Sequence, residues 1–348
     1  MRPCEITHLH LWPDGAILKQ ILDGRRNTVK DAVPQYFVIL NPSAGRGAGA
    51  LAREPIERQL RLAGATYDLV ETAGAGQPES VAYEAAVSGY ETIVSVGGDG
   101  TAHEVVNGMV RAARDHSEPV GEENPVGVLG LVPVGTGNDY AWRLGIPLNN
   151  PTAATQLLVE GPHRRVDLGE VTDEDGRREI FHNHFGGGFE AAAAIESLKI
   201  QRFRGLTLYL AALTRVIPQY AHPVPVTVQY NGTVHSGPML LVSAANGGRT
   251  GGGFKIAPGA QLDDGELDVI LGFSPNIPTT LYLLPHFMRG THIGLTRFVA
   301  ADRTSDLTIE APDGLPVHLD GEIFREDARR MTIRVLPRHL EVIAPADG

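Results

Sequence analysis

The residues in this chain most able to do chemistry are acids set among glycines. Asp99 lies within Gly97-Gly98-Asp99-Gly100-Thr101, and Asp320 and Glu322 flank Gly321. Glycine lets a backbone turn sharply and approach a ligand closely, and a helix start offers unpaired N–H groups to an anion. A carboxylate beside such an anion site is wasteful for structure, but sensible if a metal ion or a reacting hydroxyl is near. The plain alternatives are a strand-to-helix turn capped by Thr101 and an ordinary Asp-Gly β-turn at residue 320. Phosphoryl transfer would use such acids, since it asks for positioning, charge neutralisation and a carboxylate near the acceptor hydroxyl. Between Asp31 and Leu198 there is no lysine. Phosphate charge in the first half must therefore be met by backbone N–H groups, arginine and metal ions.

The elements that must position these acids are legible around them. Thr92 to Val96 is a β-branched run that reads as a buried parallel strand. After the glycines, Ala102, Val105, Val106, Met109, Val110 and Ala113 recur at helical spacing. Tyr36 to Leu40 is a second apolar strand. It runs into Asn41-Pro42-Ser43-Ala44-Gly45-Arg46-Gly47, which is no Walker A loop because no Gly-Lys-Ser/Thr closes it. Thr66 to Thr72 reads as a strand and Glu79 to Ser88 as a helix. Val126 to Val134 is a further strand, leading into Gly135-Thr136-Gly137-Asn138-Asp139. Strands alternating with helices predict a doubly wound parallel α/β sheet, with all three glycine loops at its carboxyl edge, where such sheets bind ligands.

Beyond about Val159 the pattern changes. Short strands with frequent turns predict an antiparallel β-sandwich, and Asn231-Gly232 marks a hairpin. Helices are expected over 190–219, broken at Gly205, and over 278–289. Asp320 and Glu322, two apart on an extended strand, would share one face. His182 and His184 alternate like a metal pair, but no third ligand is evident and packing explains them. The domains are therefore an N-terminal extension (1–33), an α/β domain (34–162) and a β-rich domain (163–348) whose last strand, near Leu340 to Ile343, returns to the first.

Composition narrows the classes. The 348 residues carry a formal net charge of −11, which argues against a nucleic-acid binder. Cys4 is the one cysteine, so no intrachain disulfide or cysteine zinc site is available. The start lacks a secretory pattern, and no apolar run reaches the roughly 18–20 residues of a membrane span. A cytoplasmic protein with at most peripheral membrane contact is expected.

Val96-Gly97-Gly98-Asp99-Gly100-Thr101 and Pro133-Val134-Gly135-Thr136-Gly137-Asn138-Asp139-Tyr140-Ala141 resemble the nucleotide-binding signatures of the diacylglycerol kinase catalytic family. That family includes bacterial diacylglycerol kinases and the sphingosine and ceramide kinases. Asn41-Pro42-Ser43-Ala44-Gly45 resembles its first glycine loop. The likeness continues through Val166-Asp167-Leu168-Gly169, Asn246-Gly247-Gly248 through Gly251-Gly252-Gly253, Ala257-Pro258-Gly259-Ala260, Asp263-Asp264-Gly265-Glu266-Leu267 and Leu319-Asp320-Gly321-Glu322, covering about residues 35–345.

The resemblance implies an ATP- and magnesium-dependent lipid kinase, with diacylglycerol the default acceptor. It implies Asp320 and Glu322 as the catalytic pair and Asp99 as a holder of metal or phosphate. Nucleotide contacts would come from Asn41, Pro42, Ser43, Gly45, Thr72, Gly97, Gly98, Asp99, Gly100, Thr101, Glu104, Gly135, Thr136, Asn138 and Asp139. Asn138 and Asp139 read equally as helix caps. A structural magnesium would sit on Asp264, with backbone carbonyls near Gln261 and Glu266. The lipid would be met at a membrane surface, where an arginine patch at Arg202 and Arg204 would offset the negative charge; the apolar stripes at Leu206 to Val216 and Leu281 to Met288 read as core, with the alternative that one lines an acyl pocket, and a homodimer stays open. The rivals are a soluble-substrate kinase of the NAD kinase type and a non-catalytic lipid- or nucleotide-binding module.

Overall fold

The computed structural model describes residues 33, 35–116, 124–200, 205–219, 224–273 and 276–346. Almost all of the N-terminal extension, and the Arg202–Arg204 patch, lie outside these residues. Within them, β1 (Tyr36–Leu40), β2 (Tyr67–Glu71), β3 (Thr92–Gly97) and β4 (Val128–Pro133) pair in parallel in the order β4-β3-β1-β2. Val38, Ile39, Val94, Val96, Leu129 and Val132 are fully buried, as continuous apolar runs require when both faces of a sheet are covered. The cover comes from two helical pairs. Helix α1 (Ala44–Leu62) packs on α5 (Pro151–Glu160), and α2 (Gln77–Val87) packs on α3 (Asp99–His116); the short α4 (Asp139–Arg143) follows β4. The six apolar positions predicted for α3 are all buried.

The second half is antiparallel, as expected. Strand β5 (His163–Asp173) pairs with β6 (Arg178–Phe181), and β7 (His184–Gly188) follows. Helices α6 (Phe189–Leu198) and α7 (Gly205–Gln219) fill the predicted helical stretch, with Gly205 opening the second helix instead of breaking one. Strands β8 (Val224–Tyr230) and β9 (Thr233–Met239) form the Asn231-Gly232 hairpin, both turn residues having positive φ. After β10 (Leu241–Ala245), β11 (Leu267–Gly272) and α8 (Ile277–Arg289) come β12 (Val299–Thr304), β13 (Asp306–Leu319) and β14 (Glu322–Ile343).

The join between the halves is β14, 22 residues long. Its first part pairs with β13, and its last part lies parallel to β4 through Glu341↔Val128 and Val342↔Leu129. The chain end thus returns to the first domain as anticipated, and one 14-stranded sheet runs through both. A turn at the β13–β14 junction is consequently fixed relative to the loops leaving β3 and β4.

Candidate active site

Three glycine turns leave the carboxyl ends of β1, β3 and β4 and close on one another. A Cβ at Gly98 would meet Gly135 Cα at 3.1 Å, and a Cβ at Gly45 would overlap the Val134 carbonyl. Only glycine permits this backbone-to-backbone approach. The first turn also puts Gly45, Arg46 and Gly47 in the left-handed region, at φ 57°, 59° and 96°, before α1 becomes regular. Thr101 does not cap α3, which starts at Asp99. Its hydroxyl accepts a hydrogen bond from Asn41 Nδ2 at 3.1 Å and ties the first loop to the second.

The fourth part of the site comes from the other half of the chain. Asp320 and Gly321 form the two-residue loop between β13 and β14, with φ 54° and 96°, a hairpin turn that Asp-Gly favours. Asp320 and Glu322 therefore do not share the face of an extended strand. The left-handed backbone at residue 320 folds the Asp320 carboxylate inward, while Glu322 opens β14. Asp320 accepts backbone N–H groups from Asn183 and His184, both at 2.9 Å, and from His182 at 3.1 Å. His103 Nδ1 lies 2.9 Å from Oδ2 and His182 Nδ1 3.0 Å. Burial by itself would raise this carboxyl; His182 and His103 outweigh it and hold Asp320 well below the usual range. His103 bonds on its other side to Glu179 at 3.0 Å. Despite burial, these two acids raise its pKa to about 10, so it is an imidazolium.

Glu322 differs in every respect. Its residue is exposed at the rim, but its carboxylate reaches into the cleft against Gly100, where a Cβ would collide with Oε1. Local desolvation raises its pKa, His103 works against the rise, and the negative neighbours Asp320, Glu179 and Asp99 add to it. A carboxylate that is raised, reachable and unanchored can take a proton; one locked by four donors is a poor base.

These parts enclose a cavity of about 580 Å³. It is lined by Asn41, Ser43, Gly45, Gly98, Asp99, Gly100, Thr101, Glu104, Gly135, Thr136, Asp139, Asp320 and Glu322, thirteen of the residues expected from sequence. Four expected nucleotide contacts lie outside it. Thr72 is buried, with its hydroxyl toward the Leu40 carbonyl at 3.4 Å. Gly97 ends β3 under the Thr101 side chain, and Pro42 turns away from the cavity. Asn138 makes no helix cap; it closes its own loop, accepting from Gly135 N and donating to Gly135 O, both at 3.0 Å. Asp139 spans the cleft, accepting from Gly252 N at 2.8 Å and pairing with Arg249 at 2.6 Å; burial and Asp99 raise it to about 6.

The lining also includes Asn183, Ser197 and His318, which the sequence reading passed over, and Thr250 with Gly251 and Gly252, glycines of the family likeness that it did not place in the site. The signal available for His318 was its place two residues before Asp320. His318 Nδ1 accepts from Gly321 N at 3.2 Å; burial and His184 hold its pKa near 4, so the ring is neutral. His182 and His184 are both buried as expected, yet they are no pair. The first faces Asp320; the second bonds to Glu190 at 2.6 Å, and Ser243 Oγ donates to the same carboxylate.

Five carboxylates and, among the described residues, no lysine or arginine line the cavity. A polyphosphate would enter it with a cation, so the residues present fit a magnesium ion, with Asp99, whose Oδ1 also accepts from Tyr140 N at 3.3 Å, the acid that would hold it. The predicted structural site does not fit in the same way. Asp264 accepts from Glu266 N at 3.1 Å, and Arg303 Nη1 stands 3.3 Å from its other oxygen while Nη2 donates to the Gly259 carbonyl at 3.1 Å. The guanidinium supplies the positive charge there. Asp167 fixes this loop, accepting from Gly265 N and Arg338 N, both at 2.7 Å.

Known proteins share both halves. Residues 35–171 match the diacylglycerol kinase catalytic domain, and residues 184–344 match the YegS C-terminal NAD kinase beta sandwich-like domain. A probable lipid kinase YegS-like protein of Pseudomonas aeruginosa is 34% identical over 275 residues, covering 78% of this chain and 82% of its own. A diacylglycerol kinase of Mycobacterium tuberculosis is 28% identical over 319 residues, 91% and 97% of the two chains. The crystal structure of a putative diacylglycerol kinase from Bacillus anthracis superposes with a TM-score of 0.71 at 25% identity, covering 91% of this chain and 99% of that one.

Proposed function

Because this chain belongs to the diacylglycerol kinase and YegS-like lipid kinase family, we propose that it transfers the γ-phosphoryl group of ATP to a lipid hydroxyl, diacylglycerol first among acceptors. One observation supports this most: the three glycine turns and the Asp320-Gly321-Glu322 turn meet in a single acid-lined cavity. Phosphates rest on the N–H groups of the turns and on the start of α3. Magnesium would supply the charge neutralisation, held by Asp99.

Glu322 is the base. As the acceptor oxygen bonds to phosphorus and the bond to the β-phosphate oxygen breaks, Glu322 takes the hydroxyl proton and ADP leaves. Asp320 stays ionised throughout. Its four donors hold the β13–β14 turn, and so Glu322, over the α3 N-terminus. The test is labelled-ATP transfer to dispersed diacylglycerol, other lipids and NAD side by side. Product on a lipid with none on NAD supports the proposal; label on NAD alone, or on nothing, overturns it.

A further inference from the structure

We propose that the outer face of α8, with Arg297 and Phe298 beside it, is the surface by which this protein docks on an anionic lipid bilayer. The inference rests on the lipid-kinase reading, but its evidence is separate. Helix α8 turns Thr280, Leu283 and Phe287 into the domain. On the opposite side Leu281 and Tyr282 are 52% and 50% exposed, neighbours in sequence among the few large apolar side chains left in water. Tyr282 continues the patch to Phe298, ring centroids 6.3 Å apart, and Arg297 lies over the Phe298 ring at 5.4 Å. Arg289 ends the helix exposed, and exposed Lys255 is tied to it by a 3.0 Å bond to the Phe287 carbonyl.

Charge identifies the occupant. This chain of net charge −11 has no Asp or Glu between Glu196 and Asp263, and none between Asp268 and Asp302. Of the eight lysines and arginines in residues 197–301, Lys255, Arg289 and Arg297 rim the patch, while Lys199 and Arg215 pair with Glu196 and Arg249 with Asp139. Apolar side chains rimmed by cations, on the one acid-poor part of an acidic protein, complement an anionic bilayer; each cation near such a surface strengthens binding about fivefold. The face is also close to the chemistry. Thr250 lines both the active-site cavity and a small apolar cavity that Leu284 and Phe287 of α8 help to enclose.

The experiment is co-sedimentation of the full chain, without ATP, with phosphatidylcholine vesicles and with vesicles containing phosphatidylglycerol. Binding to the anionic vesicles alone, weakening with salt, is expected. Leu281→Asp with Tyr282→Asp should lower it at least about tenfold, and Arg289→Glu with Arg297→Glu should do likewise. Turnover of a detergent-dispersed acceptor should be unchanged in both. Wild-type protein that phosphorylates dispersed lipid but ignores anionic vesicles overturns the docking face and leaves the kinase reading intact. Vesicle binding lost in both variants, in a protein inactive on every lipid, supports the face and sinks the reading beneath it. Variants that bind like wild type, or that only convert a dimer to monomer, also overturn it.

Discussion

Gly100, in the first turn of α3, and Glu322, the first residue of β14, touch across the cleft between the two halves of the chain: a Cβ at residue 100 would collide with Glu322 Oε1. The contact explains why a glycine stands inside a helix start, where it costs stability. It also places the proposed base directly over the N–H groups that would hold the phosphates.

Gly100→Ala isolates that contact. Helix propensity alone would make alanine stabilising by up to about 1 kcal/mol, so the variant should fold and melt no lower than wild type. Displacing Glu322 by about an ångström should nonetheless cut turnover on the order of 100-fold. An active, equally stable Gly100→Ala enzyme would show that Glu322 acts from elsewhere. Gly98→Val is not an equivalent test, because a side chain there meets Gly135 Cα and disrupts the loop packing itself.

The two acids beside Gly321 should separate in their effects. Glu322→Gln should lower kcat by about 10²–10⁴ with stability within about 0.5 kcal/mol of wild type. It should also remove the acid limb of the rate profile, since the raised Glu322 must be ionised to act and loses rate as pH falls through its folded pKa. Asp320→Asn removes an anion from among four donors and should destabilise by about 3–5 kcal/mol as well as slow turnover. Steady-state kinetics with thermal melts decide it; equal melting points for both variants would remove the anchoring role of Asp320.

Much of this architecture was legible because the signals are local. The β1, β3 and β4 runs, the α3 stripe and the Asn231-Gly232 hairpin each follow from residues within one short window. What escaped the sequence depends on partners far away in the chain. Asp320 was readable as a turn or as a catalytic acid; it is the turn, with its carboxylate held by the N–H groups of residues 182–184 at the start of β7. His103 is one more polar residue in a helix until Asp320 and Glu179 arrive from 217 and 76 positions away. The full length of β14 was hidden too, since its first half alternates charged and buried residues without an apolar run.

The loop at Asp264 makes a prediction opposite to that of a metal-built site. With Arg303 on the carboxylate, magnesium or a chelator should move the melting temperature of the nucleotide-free protein by no more than about 1 °C. Asp264→Ala and Arg303→Ala should each cost at most about 1 kcal/mol, because the pair is partly exposed. A wild-type melting point raised several degrees by magnesium, and no longer raised in Asp264→Ala, would show that the ion displaces the guanidinium.

The last prediction concerns His103, the cation between Asp320 and Glu179. Its folded pKa of about 10 lies above the ordinary 6.5, so the folded protein holds a proton that the unfolded chain releases as pH rises past 6.5. Unfolded chains bind fewer protons in that window, and the derivative of stability with pH is negative there. The stabilisation is complete below pH 6.5, declines through pH 7–9 and is gone above about 10. Replacing His103 with glutamine keeps a donor toward Asp320 but cannot titrate. Wild type should therefore lose melting temperature steadily between pH 6.5 and 10, and His103→Gln should be less stable at pH 6 yet nearly flat across the same range. Melting curves at half-unit steps read the slope, and circular dichroism at pH 6 confirms that the variant folds. If both proteins fall in parallel, the proton is not held at residue 103, and Asp320 owes its low pKa to the backbone N–H groups and His182 alone.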